Sequence, residues 1–137
     1  MGSEMCIRDR DFTEQRAFEQ LMMSTVAELC SRLIPPMQAR GYGRVVNVAS
    51  VAGRFPFSDT GNYGPSKAYV IAVSEDLNLA ARSDGVFVTA LCPGFTHTEF
   101  HEVAGMMAAK NSSPKWIWYD ANTVVADGIN GLSLIHI

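Results

Sequence analysis

Tyr63 and Lys67 stand four residues apart in the segment NYGPSK, and Ser50 precedes the tyrosine by thirteen residues. On a helix, a four-residue step is about one turn, so the phenol and the ammonium share a face. A cation beside a phenol favours the phenolate. The expectation is therefore that the Tyr63 pKa falls from its ordinary value of about 10 toward neutrality. A phenol tuned in this way can give or take a proton at a carbonyl or alcohol oxygen. Ser50, at the end of an apolar run, can hold that same oxygen with its hydroxyl.

The elements that must position these groups follow from the patterning. Residues 11–40 read as a helix: Asp11 or Thr13 caps it, and Glu14 sits in its first turn, where the helix dipole favours an acid. Phe18, Leu21, Met22, Val26, Leu29, Leu33 and Met37 recur at three- and four-residue steps and give it an apolar stripe. Pro35 and Pro36 are expected to kink or break it near its end, and Gly41 to stop it. Residues 45–49 read as a short buried strand carrying Ser50 at its carboxyl end. A loop over 53–61 follows, with Phe55 and Phe57 on it, then a second long helix over 62–83 that bears Tyr63 and Lys67. Residues 86–91 read as a second buried strand, parallel to the first, with the helix as crossover. It ends on Pro93–Gly94. In open α/β sheets, ligands bind at the carboxyl ends of the strands, where Ser50 and this turn both lie. Residues 98–110 are expected to cover the substrate as a short segment, Trp116 and Trp118 to lie in a core or interface, and Asp120 to cap a last helix.

Three segments in order, Asn47–Gly53 (NVASVAG), Tyr63–Lys67 (YGPSK) and Leu91–Thr98 (LCPGFTHT), resemble the short-chain dehydrogenase/reductase family, in its simple single-domain branch. The resemblance covers residues 11–132 and only the C-terminal half of such a domain. It implies an α/β fold: a partial doubly wound, Rossmann-like parallel sheet with flanking helices, whose N-terminal half is missing from this chain. It implies an NAD(P)-dependent oxidoreductase that interconverts a secondary alcohol and a ketone by hydride transfer. Ser50, Tyr63 and Lys67 would be the catalytic set. Tyr63, Lys67, Pro93, Gly94, Thr96 and Thr98 would contact the cofactor, NAD or NADP, and Phe57, His97 and Phe100, with Met106, would line a mostly apolar substrate pocket. At Met22 the family usually has an asparagine that holds a water of the proton path. Either the relay runs differently here or a small deletion shifts the register near residues 22–25.

Composition bounds the rest. The chain has 137 residues and a net charge of −3, with no basic cluster, which excludes a nucleic-acid surface. Cys6, Cys30 and Cys92 form no CxxC pair and suit a reducing compartment. No apolar run reaches the length of a membrane span and no secretory signal is present, so the expected location is cytoplasmic. His97 and His101, with Glu99 and Glu102, have metal-compatible spacing but no third ligand group, and no metal is expected. Residues 1–10 and 133–137 match neither the pattern nor the family and are expected to be a non-native leader and tail. No glycine-rich pyrophosphate turn occurs, and the residue that separates NAD from NADP is not in the sequence. Two expectations follow. The chain is a piece of an enzyme acting on a small alcohol or ketone, homo-oligomeric through helices 11–40 and 62–83. Alternatively, it is a non-catalytic truncated fragment serving at most as a helix-mediated dimerisation module.

Overall fold

The computed structural model describes residues 11–56, 61–99 and 114–134. Helix α1 (Phe12–Glu19) starts on Asp11, whose carboxylate accepts the Thr13 N–H. A π turn (Gln20–Ser24) joins it to α2 (Thr25–Ala39). Strand β1 (Gly43–Val48) leads through a 3-10 turn (Val51–Gly53) to helix α3 (Tyr63–Ala81). Then come β2 (Val86–Leu91), β3 (Phe95–His97), β4 (Trp118–Asp120) and helix α4 (Ala121–Leu134).

β1 and β2 pair in parallel from Gly43 against Val86 to Val48 against Leu91, with α3 as crossover. Alternation along β2 sends Val86 and Val88 to one face, where they are buried with Cys30 and Ile34 of α2 and Ala81 of α3. A second cluster on that side joins Ala49 to Val70 and Ile71 of α3. Leu91 points to the other face and packs on α4, where Gly128 has no Cβ to hold the helix away. Helices therefore cover both faces of a parallel pair, the layering of a doubly wound fold. Val48 remains 58% exposed, so β1 is only half-buried rather than fully enclosed.

The helices depart from expectation in one place. The interruption falls at residues 20–24, and α2 continues through Pro35 and Pro36. Each proline costs a hydrogen bond to the carbonyl four residues back. Those carbonyls belong to Ser31 and Arg32, both exposed, so water can take the vacated bonds in the last turns. At the π turn, the Thr25 hydroxyl donates to the Gln20 carbonyl at 2.8 Å. Met22 lies within this turn, half-buried.

The expected count of two strands is also too low. β3 and β4 form a second parallel pair, from Phe95 against Trp118 to His97 against Asp120. Asp120 then accepts the N–H groups of Asn122 and Thr123 and caps α4, as expected. Trp116 is 84% exposed, outside any core, while Trp118 stacks with Phe95 and His97 at 5.2 Å each. Among the described residues, no helix is long and apolar enough to cross a membrane.

Candidate active site

Ser50 sits one residue past the buried Ala49, beyond the end of β1. The β1–β2 ladder continues there: the Ala49 N–H donates to the Leu91 carbonyl at 2.7 Å, and that of Val51 to the Pro93 carbonyl at 3.0 Å. Ser50 and the Pro93–Gly94 turn are thereby held side by side at the carboxyl ends of the two strands. The Ser50 side-chain oxygen accepts the Ala52 N–H at 3.1 Å and caps the 3-10 turn. This turn lies hard against α3. A Cβ on Gly53 would meet backbone atoms of Lys67 and Ala68 at 2.6 and 2.7 Å, so the close approach requires glycine.

Tyr63 opens α3. The buried Ser66 returns a hydroxyl to the Tyr63 carbonyl at 2.8 Å, which fixes the first turn. Its neighbour Asn62 donates to Glu19 at 3.1 Å, tying this helix end to α1. The Tyr63 phenol is half-buried and near enough to Ser50 for the serine hydroxyl to favour its phenolate. The Lys67 ammonium lies 5.7 Å from the centre of the phenol ring and donates to the Val48 carbonyl at 2.9 Å. Ser50, Tyr63 and Lys67 thus meet at one place.

The electrostatics differ from the simple expectation. Burial raises the Tyr63 pKa above its ordinary value, and the Ser50 hydroxyl opposes that rise without overcoming it. The same burial lowers the Lys67 pKa. A lysine engaged with a backbone carbonyl and set beside the ring does not pull the phenol toward neutrality by itself.

Around this set, Arg54 bridges the loop after Ser50 to Glu75 of α3 at 2.9 Å, and that carboxylate raises its pKa. Gly94 is exposed with open space beside it, and the Thr96 hydroxyl donates back to its carbonyl at 3.2 Å. Thr98 and His97 are exposed, His97 against Trp118. Phe57, Phe100, His101, Glu102 and Met106 lie outside the described residues, and among those described no group of three His, Cys, Asp or Glu could hold a metal. Sequence reasoning missed Trp118 as a neighbour of His97. The pairing of β3 with β4 creates that contact, and segments of three residues carry no readable period.

Comparison with known proteins adds to this geometry. Dehydrogenase/reductase SDR family member 4 of Oryctolagus cuniculus is 35% identical over 78 residues, which make up 57% of this chain and 30% of that protein. A short-chain dehydrogenase from Sphingobium yanoikuyae, solved in complex with NADPH, superposes with a TM-score of 0.85 at 26% identity, over 97% of this chain and 50% of its own. A xylitol dehydrogenase solved with NAD+ bound gives a TM-score of 0.69 at 26% identity, over 82% of this chain and 44% of its own. The chain thus spans about a third of the curated relative's length and about half of the solved ones. Residues 5–109 match the family model of the short chain dehydrogenases. With the parallel sheet and its crossover helix in agreement, this chain belongs to the short-chain dehydrogenase family.

Proposed function

We propose that the protein carrying this chain is an NAD(P)-dependent oxidoreductase that interconverts a secondary alcohol and a ketone. The observation that carries this reading is the meeting of Ser50 and Tyr63 at the end of β1, with the Lys67 ammonium 5.7 Å from the phenol ring and bonded to the Val48 carbonyl. Ser50 fixes the substrate oxygen, Tyr63 moves the proton at that oxygen, and Lys67 stabilises the phenolate that results. The chain's residues fit the nicotinamide end of a dinucleotide. Lys67 offers an ammonium for ribose hydroxyls, Gly94 leaves backbone approachable, and Thr96 and Thr98 offer hydroxyls beside it. Pro93 holds that turn against Val51. When bound, the nicotinamide supplies or takes the hydride. One structural relative was solved with NADPH and another with NAD+, and either nucleotide suits these residues. The sequence expectation that His97, Phe57, Phe100 and Met106 line the pocket favours lipophilic alcohols and ketones over sugars or polyanions.

Tyr63→Phe in the full-length enzyme tests the reading. It removes the proton but keeps the ring, and turnover should fall by about 10²–10⁴-fold. Turnover near the wild-type value would refute the assignment.

A second reading rests on exposed apolar side chains: Leu21, Leu29 and Leu33 before and along α2, and Leu79 on α3. Here the 137-residue chain is a non-catalytic module that pairs with a second copy through these helices. In the enzyme reading, the same surfaces join subunits. Sedimentation velocity and calorimetric titration of the isolated chain with NADH and NADPH test the module. Micromolar nucleotide binding by the chain excludes the module, while a non-binding dimer fits either reading and leaves the decision to the Tyr63→Phe test.

A further inference from the structure

We propose that Asn47 is a positioning residue for the Ser50, Tyr63 and Lys67 set: bonded to Ser74, it locks the register between β1 and α3. The inference rests on the dehydrogenase reading above.

Asn47 is the one carboxamide in the run RVVNVAS, and it sits on the face of β1 that points to the helices, as Val45 does. Its Nδ2 donates to Ser74 Oγ at 3.0 Å and lies 3.5 Å from Cys30 Sγ. Ser74 in turn donates to the Val70 carbonyl at 2.7 Å. Ser74 is fully buried and Cys30 is 4% exposed. Placing a carboxamide in such surroundings costs free energy unless its bonds are made, and a valine would fill the position without that cost. What the amide adds is direction. Apolar contacts between a strand and a helix permit sliding, whereas a directional hydrogen bond at 3.0 Å that ends on the fully buried Ser74 does not.

The direction matters because β1 and α3 are joined by three side-chain rungs in order. Asn47 meets Ser74, the Val48 carbonyl meets Lys67, and Ser50 meets Tyr63. The strand advances by three residues, roughly 10 Å, while the helix runs back by eleven, roughly 16 Å. The last two rungs carry the chemistry. The first touches no reacting group and is the most deeply buried, so it serves as the anchor from which the other two are set. If it is released, Ser50 and the Val48 carbonyl can drift along α3.

The test uses the full-length enzyme, with Asn47→Ala, Ser74→Ala and the double variant. A displacement of about 1 Å at a reacting centre can cost about 10²-fold in rate, so each single change should lower kcat by about 10- to 10²-fold with KM little altered. Because both changes remove the same bond, the double variant should fall no further than either single one. An independent readout needs no nucleotide: ultraviolet difference titration against a Tyr63→Phe background reports the phenol directly. Its pKa should rise in both variants, because the Ser50 hydroxyl that lowers it is less firmly held. Folded variants with unchanged kcat and unchanged phenol titration would overturn the proposal, as would losses that add in the double variant. Should Asn47→Ala not fold, Ser74→Ala breaks the bond from the helix side and the same readouts apply. If Tyr63→Phe is itself active, the dehydrogenase reading falls. If it is inactive while Asn47→Ala behaves as wild type, only the positioning role falls.

Discussion

The two parallel strand pairs of this chain are built in contrasting ways. β1 and β2 share six residue pairs, are spanned by a helix of nineteen residues, and rest on two buried clusters. β3 and β4 share three pairs, and what packs across them is a stack of rings, Phe95 and His97 on Trp118, with Tyr119 54% exposed alongside. The first pair ends at Ser50 and faces Tyr63 and Lys67. The second carries Thr96 and His97. Groups that transfer a proton need their distances fixed within tenths of an ångström, and the residues proposed for that role gather at the end of the deeply packed pair. Thr96 and His97, proposed to meet the nicotinamide end and the substrate, stand on the lightly packed one. The difference in packing follows the difference in chemical tolerance.

Substitutions can break or sharpen this contrast. The largest effect is expected at Ile71, 5% exposed beneath Ala49 and Val70. Ile71→Ala should cost about 2–5 kcal/mol by leaving a cavity in the core. It should also disturb the Tyr63 titration, since Ile71 packs under the strand end that carries Ser50. Trp118→Ala removes two ring contacts worth about 0.5–1.5 kcal/mol each, so its cost should be about 1–3 kcal/mol. Here the Tyr63 titration should stay unchanged. A Trp118 variant that shifts it would mean that the two pairs act as one unit. Smallest is Asp120→Ala, which removes the cap of α4 and should cost about 1 kcal/mol. Thermal unfolding of the intact protein reads all three.

Much of the packed region was legible in the sequence. Four-residue spacing put Tyr63 and Lys67 on one face, and the β-branched run at 86–91 marked β2 to the residue. Asp11 and Asp120 announced their helices. What escaped had physical reasons. The strands β3 and β4 have no period to detect at three residues, and their pairing is set by tertiary contact. The prolines of α2 are tolerated because the carbonyls they orphan are exposed, and exposure is not written locally in the sequence. The direction of the Tyr63 pKa shift depends on how much burial weighs against one cation, a balance that spacing alone does not contain.

The π turn at residues 20–24 also has a consequence for changes in chain length. Side chains fifteen positions apart, such as Gln15 and Cys30, would stand about 60° out of phase on an uninterrupted α-helix. The wider turn holds an extra residue, which shifts the phase by about 100° and leaves the two about 40° apart in the other sense. Gln15 can then meet Asn62 beside the phenol, while Cys30 meets Asn47 under the strand. Deleting any one residue of the turn would restore an unbroken helix and improve its hydrogen bonding. The helix segments on either side would keep their phase, whereas adding a further residue would rotate everything upstream by about 100° relative to α2 and break one of the two contacts. In this stretch the chain should tolerate loss of one residue far better than gain of one.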